Sequence, residues 1–325
     1  MKKSFGVLIA LLSAIGGTLA ALLLRFRRNQ QRADEVWASF RPEPLDLAPV
    51  ARLTITPLVD ARTAPSPEGV AEGLTGEAGV SYLVQADDTR LLFDLGSNAE
   101  RESPAPLERN AALLGVDLEA VDVVVISHRH YDHVGGLKAQ LTHSFVLPAD
   151  RMEQGEVPVY VPEPLQHPTA DLRLVEGPLS ITPGVATLGP IPRALFLLGW
   201  TPEQALAVNV AGKGMVIIVG CGHQGVQRII ERAEALFEEP LYGVVGGLHL
   251  PVTSSAMQRF VGTGRPPWQL LTEDDVAETI DYLRDKGVKR IALSPHDSCD
   301  WTVSAFEDAW GPDFQVVTVG QPLEF

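Results

Sequence analysis

Four potential metal ligands lie within six residues: His128, His130, Asp132 and His133, in the run His128-Arg129-His130-Tyr131-Asp132-His133-Val134-Gly135-Gly136. Imidazole and carboxylate are the donors that suit zinc and other borderline first-row cations. His128 and His130, two apart in an extended turn, can point the same way and share one ion. Asp132 and His133 then turn toward a second ion. Gly135 and Gly136 let the backbone bend onward without a Cβ clash. A solvated polar loop is the bland alternative. Three of the chain's eight histidines in six positions, directly after an apolar stretch, speak against it.

The elements that must hold these residues are legible as alternating runs. Residues 121–127 (VDVVVIS) are expected as a strand buried on both faces, immediately before His128. Residues 80–86 and 90–95 read as strands joined by the turn Asp87-Asp88-Thr89, and Asp94 sits at the end of the second. Residues 105–115 suit a helix ending at Gly115. Strands are expected at 214–219, 241–245 and 290–293, with helices at 226–237 and 273–286. This alternation indicates helices packed on a sheet, and the early hairpin makes that sheet mixed.

Further candidates fall at strand tips, where αβ proteins place ligand groups. His223, in Gly220-Cys221-Gly222-His223, is expected as a metal ligand. Cys221 is either a thiolate ligand or a small residue buried beneath the metal. His249 follows the strand at 241–245 and suits substrate contact, the metal shell or a structural hydrogen bond. His143 and His167 are expected at the surface. Residues 251–271 form a long segment holding Trp268, read as a lid or a loose insertion.

The run SHRHYDHVGG resembles the HxHxDH signature of the metallo-β-lactamase superfamily. Across 77–296 the chain is similar to the subfamily typified by 7,8-dihydropterin-6-methyl-4-(β-D-ribofuranosyl)aminobenzene 5′-phosphate synthase. The matching segments are AGVSYLVQADDTRLLFDLG, NAALLGVDLEAVDVVVISHRHYDHVGG, GPIPR, VIIVGCGHQGV, VVGGLHL and SPH. The resemblance implies an α+β fold, a four-layer αββα sandwich with its metal site at the sheet edge. It implies two ions, zinc first, with iron or manganese as alternatives, and a metal-bound hydroxide as nucleophile. It gives Asp132 the double task of holding a metal and orienting the nucleophile. It makes His296 the ligand that completes the second site, and Asp94 the acceptor that orients the metal loop, where a turn-forming Asp is the plainer reading. Arg193, in Ile191-Pro192-Arg193, matches an element of the subfamily. Arginine suits bidentate capture of carboxylate or phosphate, so substrate binding stands beside a structural ion pair.

Two departures qualify the resemblance. Cys221 stands where the superfamily supplies a bridging Asp, a pattern the subfamily shares. Thr201-Pro202-Glu203-Gln204 stands where an acidic pair is expected. The function implied is hydrolysis of a small ester, lactone or phosphoester. A transferase like the dihydropterin-type synthase is the alternative. A non-catalytic membrane-tethered binding protein is a third reading, disfavoured by the complete ligand set.

The composition narrows the partners. Lys and Arg number 26 against 41 Asp and Glu, a net charge of −15. That argues against nucleic acid, which wants a basic footprint, and leaves a small-molecule substrate. Two cysteines, Cys221 and Cys299, cannot form a disulfide framework. They read as free thiols, ligands or one disulfide.

Residues 5–24 carry no charge. Twenty residues at about 1.5 Å each match a hydrocarbon core of roughly 30 Å. Lys2 and Lys3 precede the run, and Arg25, Arg27, Arg28 and Arg32 follow it. Residues 1–28 therefore read as an uncleaved single-pass membrane anchor. A cleaved signal peptide is the rival, against which stand the length of the run and its basic C-terminal flank. A buried soluble helix is the third reading. The basic flanks tilt the orientation only slightly toward a cytoplasmic domain. Six prolines fall between 41 and 70. Residues 29–50 read as a proline-rich spacer and 51–325 as one catalytic domain, opening with the strand in ARLTITPLVD.

Overall fold

The computed structural model describes residues 2–65 and 73–325, with side chains described from residue 16 onward. The N-terminal half supplies β1 (Leu53–Val59), β2 (Ser81–Ala86), β3 (Thr89–Phe93), β4 (Val123–Val125), β5 (Pro158–Val161) and β6 (Asp171–Leu174). β7 (Leu179–Thr182) and β8 (Val185–Thr187) open a second sheet, and β9 (Ile191–Leu195) with β10 (Gly199–Glu203) forms a separate hairpin. β11 (Leu206–Val210), β12 (Gly214–Val219), β13 (Leu241–Gly246), β14 (Arg290–Leu293) and β15 (Phe314–Val316) complete the second sheet. β16 (Leu323–Glu324) returns to pair with β1.

Both seven-stranded sheets are mixed. In the first, β1, β2 and β3 are antiparallel and β3 through β6 run parallel. In the second, β7, β8, β11 and β12 are antiparallel and β12 through β15 run parallel. The parallel strands are near-continuous apolar runs because both faces are covered. β4 and β12 are buried at every position.

The helices are α1 (Lys2–Ser39), α2 (Pro106–Leu113), α3 (Leu137–Leu141), α4 (Asp150–Glu153), α5 (Val226–Leu236), α6 (Ala256–Phe260), α7 (Glu273–Asp285) and α8 (Asp300–Trp310). Tyr82, Phe93, Val208 and Ile218 pack between the two sheets. Leu107 of α2 and Met152 of α4 cover the outer face of the first, against Leu92 and Val124. Ile229 of α5, Leu283 of α7 and Phe306 of α8 cover the second, against Ile217 and Ile291. The layers are therefore helix, sheet, sheet, helix, as expected. α7 starts where Thr272 and Asp275 form a capping box, with three acidic residues in its first turn.

The N-terminal region differs from expectation. Residues 29–39 were expected as spacer, but α1 continues through them to Ser39. They are good helix formers without proline, and Pro42 is the first residue that forbids further helix. This part of α1 docks on the domain. The Phe26 and Phe196 rings lie 5.4 Å apart, Arg32 lies 4.4 Å from the Trp200 ring, and Asp34 pairs with Arg228 at 2.5 Å. Residues 40–50 are extended, and Leu45 and Val50 are hydrogen-bonded to Leu236 and Asn209. Among the described residues no helix is long and apolar enough to cross a membrane. The anchor expected at 5–24 is thus unsupported by the structure, and the side chains of its residues 5–15 lie outside the described ones.

Candidate metal centre

The C-terminal ends of β1, β3, β4, β12 and β14 meet at one edge of the sandwich. They carry Asp60, Asp94, residues 127–133, residues 220–223 and residues 294–297. Parallel pairing of β3 with β4, and of β13 with β12 on one side and β14 on the other, aligns these tips. The β12 tip abuts the β4 tip at Gly220, where a Cβ would collide with Ser127 Oγ. Only glycine fits there.

Two ligand groups result. His128, His130 and His223 form one; Asp132, His133, Cys221 and His296 form the other; within each, the donor atoms lie within 4.8 Å of one another. His130 Nδ1 is 2.9 Å from His128 Nε2 and 3.1 Å from His223 Nε2. Cys221 Sγ is 3.0 Å from His133 Nε2 and 3.2 Å from His296 Nε2.

The outer nitrogens of four histidines are tethered, which leaves the inner ones bare. Asp94 Oδ2 holds His133 Nδ1 at 2.7 Å and accepts from the Ser127 hydroxyl at 2.6 Å. Ser127 Oγ in turn accepts from His128 Nδ1 at 2.9 Å. A parallel chain serves the other half. Ser294 donates to Asp60 Oδ2 at 2.6 Å and accepts from His296 Nδ1 at 2.6 Å. His223 Nδ1 donates to the Gly262 carbonyl at 2.8 Å. The imidazole tautomers follow from these partners.

Glu203 holds the second ligand loop. Its buried carboxylate accepts from the backbone N–H of Cys221, Gly222 and His223 at 3.0, 2.9 and 2.8 Å. Glu203, the one acid in the Thr201–Gln204 segment that stands where an acidic pair was expected, therefore positions two ligands. Burial raises its pKa to about 7, against the pull of those three N–H groups.

Burial, then repulsion from neighbouring histidines, disfavours the charged form of four of these rings. It holds His128, His223 and His296 well below the ordinary histidine value and brings His130 down to about 3. Burial also works to lower His133, but the Asp94 and Asp132 carboxylates outweigh it and raise it to about 9. Burial and nearby carboxylates push the Cys221 thiol up. Asp132 Oδ1 is buried with no hydrogen-bond partner. Inward lone pairs at 3 Å spacing, beside an orphaned carboxylate oxygen, are stabilised by a cation and by little else. The donor set of imidazole, carboxylate and thiol fits zinc.

All seven residues expected as ligands, with Asp94, thus stand together. His249 stands at their edge, with φ 50° and its ring 4.8 Å from that of His223. Its Nε2 donates to the Val261 carbonyl at 2.8 Å, and its buried Nδ1 has no partner. Beside the centre lies a cavity of about 580 Å³, walled by Leu137, Leu198, Pro251, Met257 and Val261. The segment 251–271 contributes part of this wall, although Trp268 itself is exposed. Arg193 is absent from that cavity and lines a neighbouring one. Neither cysteine is in a disulfide. His143 is exposed as expected, but His167 stacks on Phe145 at 5.0 Å and is mostly covered.

Asp60, Ser127, Ser294, Glu203 and the Gly262 carbonyl were not anticipated. Asp60 carried one usable signal, its place at the end of β1, matching that of Asp94 at the end of β3.

Comparison with known proteins bears on this geometry. Residues 74–191 match the sequence model of the Metallo-beta-lactamase superfamily. The 7,8-dihydropterin-6-methyl-4-(β-D-ribofuranosyl)-aminobenzene-5′-phosphate synthase of Methanocaldococcus jannaschii is 23% identical over 288 residues, covering 76% of this chain and 90% of that protein. A solved metal-dependent hydrolase of the beta-lactamase superfamily superposes with a TM-score of 0.57 at 22% identity, covering 84% of this chain and 99% of that one. The metallo-beta-lactamase fold protein YhfI from Bacillus subtilis superposes with a TM-score of 0.54 at 14% identity, covering 84% of this chain and 100% of that one.

Proposed function

We propose that this chain, which has the metallo-β-lactamase fold, is a metal-dependent hydrolase of a small ester, lactone or phosphoester. The carrying observation is the pair of ligand groups, His128, His130 and His223 beside Asp132, His133, Cys221 and His296, opening on a cavity of about 580 Å³. Two zinc ions fit these donors best, with iron or manganese as alternatives. Such cations, when bound, supply Lewis acidity and acidify water toward neutral pH.

The chain's own residues do the rest. Asp132 would hold a cation through one carboxylate oxygen and accept a proton from the attacking water through the other. His249, its Nε2–H committed to Val261, borders the cavity with its ring and suits a substrate contact there. Leu198, Met257 and Val261 exclude water and take the non-reacting part.

A transferase reading is favoured by one observation, the 76% coverage by a relative named as a synthase. The test is a screen of the zinc-loaded chain with phosphodiesters, lactones and pterin phosphates, beside His128→Ala. Turnover of a water-accepting substrate that His128→Ala abolishes supports the hydrolase. Turnover only when a second acceptor is added supports the transferase.

The net charge of −15 supports a small molecule over nucleic acid as partner. Membrane attachment rests on the sequence of residues 5–24 alone. Retention of the full chain in alkali-washed membranes would support it, and release would refute it.

A further inference from the structure

Behind the wall made by His223, His249 and Gly262 lies a second cavity, of about 440 Å³, which shares those three residues with the metal cavity. Its lining includes Arg193, Gln224, Arg228, Arg265 and the first turn of α5. Four features of this lining are unexplained by the fold.

Gln224 is fully buried, yet neither its amide oxygen nor its amide nitrogen has a partner. A buried amide left unpaired costs about 1–3 kcal/mol, so such a group is normally matched to something. The Arg193 side chain makes no hydrogen bond or salt bridge to another described side chain, although the Asp34 carboxylate acts on it at longer range. Arg228 spends one nitrogen on Asp34, while its Nη1 is buried and unpartnered. The N-terminus of α5 has Gly225 at its cap, no capping side chain and no acidic residue in its first turn. Its exposed N–H groups and dipole favour an anion. Against this, Asp275 and Glu278 also line the cavity. Asp275 is committed to Arg265 and to the Thr272 cap. Glu278 is the acidic group that a ligand must avoid.

We propose that this cavity is a phosphoryl subsite, in which Arg193, the Gln224 amide, Arg228 and the α5 N-terminus grip a tetrahedral oxyanion. Donors from three elements, β9, the 222–225 loop and α5, converge on it. That geometry suits a phosphoryl group, with three acceptor oxygens, better than a flat carboxylate. The occupant is the phosphate of a phosphorylated substrate whose scissile bond lies at the metal centre, or free phosphate. The first source rests on the hydrolase reading; the binding itself does not.

The test uses the full chain, chelator-treated and zinc-loaded, titrated with inorganic phosphate by calorimetry. Metal-free wild type is expected to bind one phosphate. Arg193→Gln and Gln224→Leu are expected to weaken it at least about tenfold. Lys213→Gln, which removes a charge at the far end of β12, is expected to change nothing. His128→Ala is expected to retain phosphate while losing metal, which separates this site from the metal centre. Far-UV circular dichroism establishes folding. If Gln224→Leu fails to fold, Arg193→Gln with an Arg193→Lys partial rescue decides. No saturable binding to the metal-free chain, or equal affinity in Arg193→Gln, overturns the proposal. With zinc loaded, a KM rise in Arg193→Gln confined to phosphorylated substrates assigns the site to substrate. An unchanged KM with weakened phosphate binding assigns it to free phosphate.

Discussion

Asp94 Oδ2 stands 2.7 Å from His133 Nδ1, and through the Ser127 hydroxyl the same oxygen also governs His128. One carboxylate therefore fixes a histidine in each of the two ligand groups. It also sits at φ 63°, an uncommon conformation for a residue with a Cβ, kept because the aim of that carboxylate is over-determined by its partners.

Asp94→Ala should weaken metal binding about 10–100-fold, because outer-sphere acceptors set both the tautomer and the angle of their histidines. Competition against a chromophoric chelator measures this. Wild-type affinity in the variant would show that Asp94 merely forms a turn.

Cys221 Sγ lies 3.0 Å from His133 Nε2 and 3.2 Å from His296 Nε2, in the group that contains Asp132. Cys221→Ala should therefore cost about one metal equivalent per chain and spare the His128, His130, His223 group. Cobalt substitution offers the signature, a sulfur-to-cobalt charge-transfer band present in the wild type and absent in the variant. A wild-type cobalt protein without the band would make Cys221 a buried spectator.

Four buried histidines should each make the metal-free chain less stable in acid. His128, His130, His223 and His296 are all held below the ordinary value, first by burial. Unfolded, they titrate near about 6.5. Below that pH the unfolded chain takes protons that the folded one refuses, so stability falls as pH drops toward the His130 value of about 3. His133 acts oppositely, since its stabilising share is present below its unfolded pKa and is lost as pH rises through about 9. Asp60 and Glu203, raised to about 7 by burial, also oppose the four, since they take up protons in the folded chain first. The histidine share is therefore read as a difference: the urea midpoint of chelator-treated His128→Gln, relative to wild type, should rise between about pH 7 and about pH 5. A constant difference contradicts the assignment.

Glu203→Gln keeps the shape but turns an amide N–H₂ toward three backbone donors. The loss should be about 1–3 kcal/mol of stability. Metal at the His223 group should weaken with it, since His223 N–H is one of the three. Thermal melts together with metal titration separate the two effects; a lower melting point with intact metal affinity would make Glu203 purely structural.

The part of the site that was legible in the sequence is the part that is local. His128 to His133 are contiguous and follow a strand whose burial is written in VDVVVIS. Cys221 and His223 sit between a strand and a helix that both read clearly. The supporting residues act across long separations. Glu203 grips Cys221 from 18 positions away, and Asp60 reaches Ser294 across 234. No spacing rule encodes such contacts. β5 through β10 were also unread, because proline and short polar runs there mask the alternation. α1 beyond residue 28 was missed for the opposite reason. Its sequence favours helix, but the burial of Phe26 and the pairing of Asp34 come from a surface far along the chain.

The division of ligands between the two sheets has a bearing on assembly. His128, His130, Asp132 and His133 follow β4, whereas Cys221, His223 and His296 follow β12 and β14. Neither half of the chain can close either ligand group by itself. A cation held by either group would therefore tie the two sheets together, and its binding would be coupled to their docking.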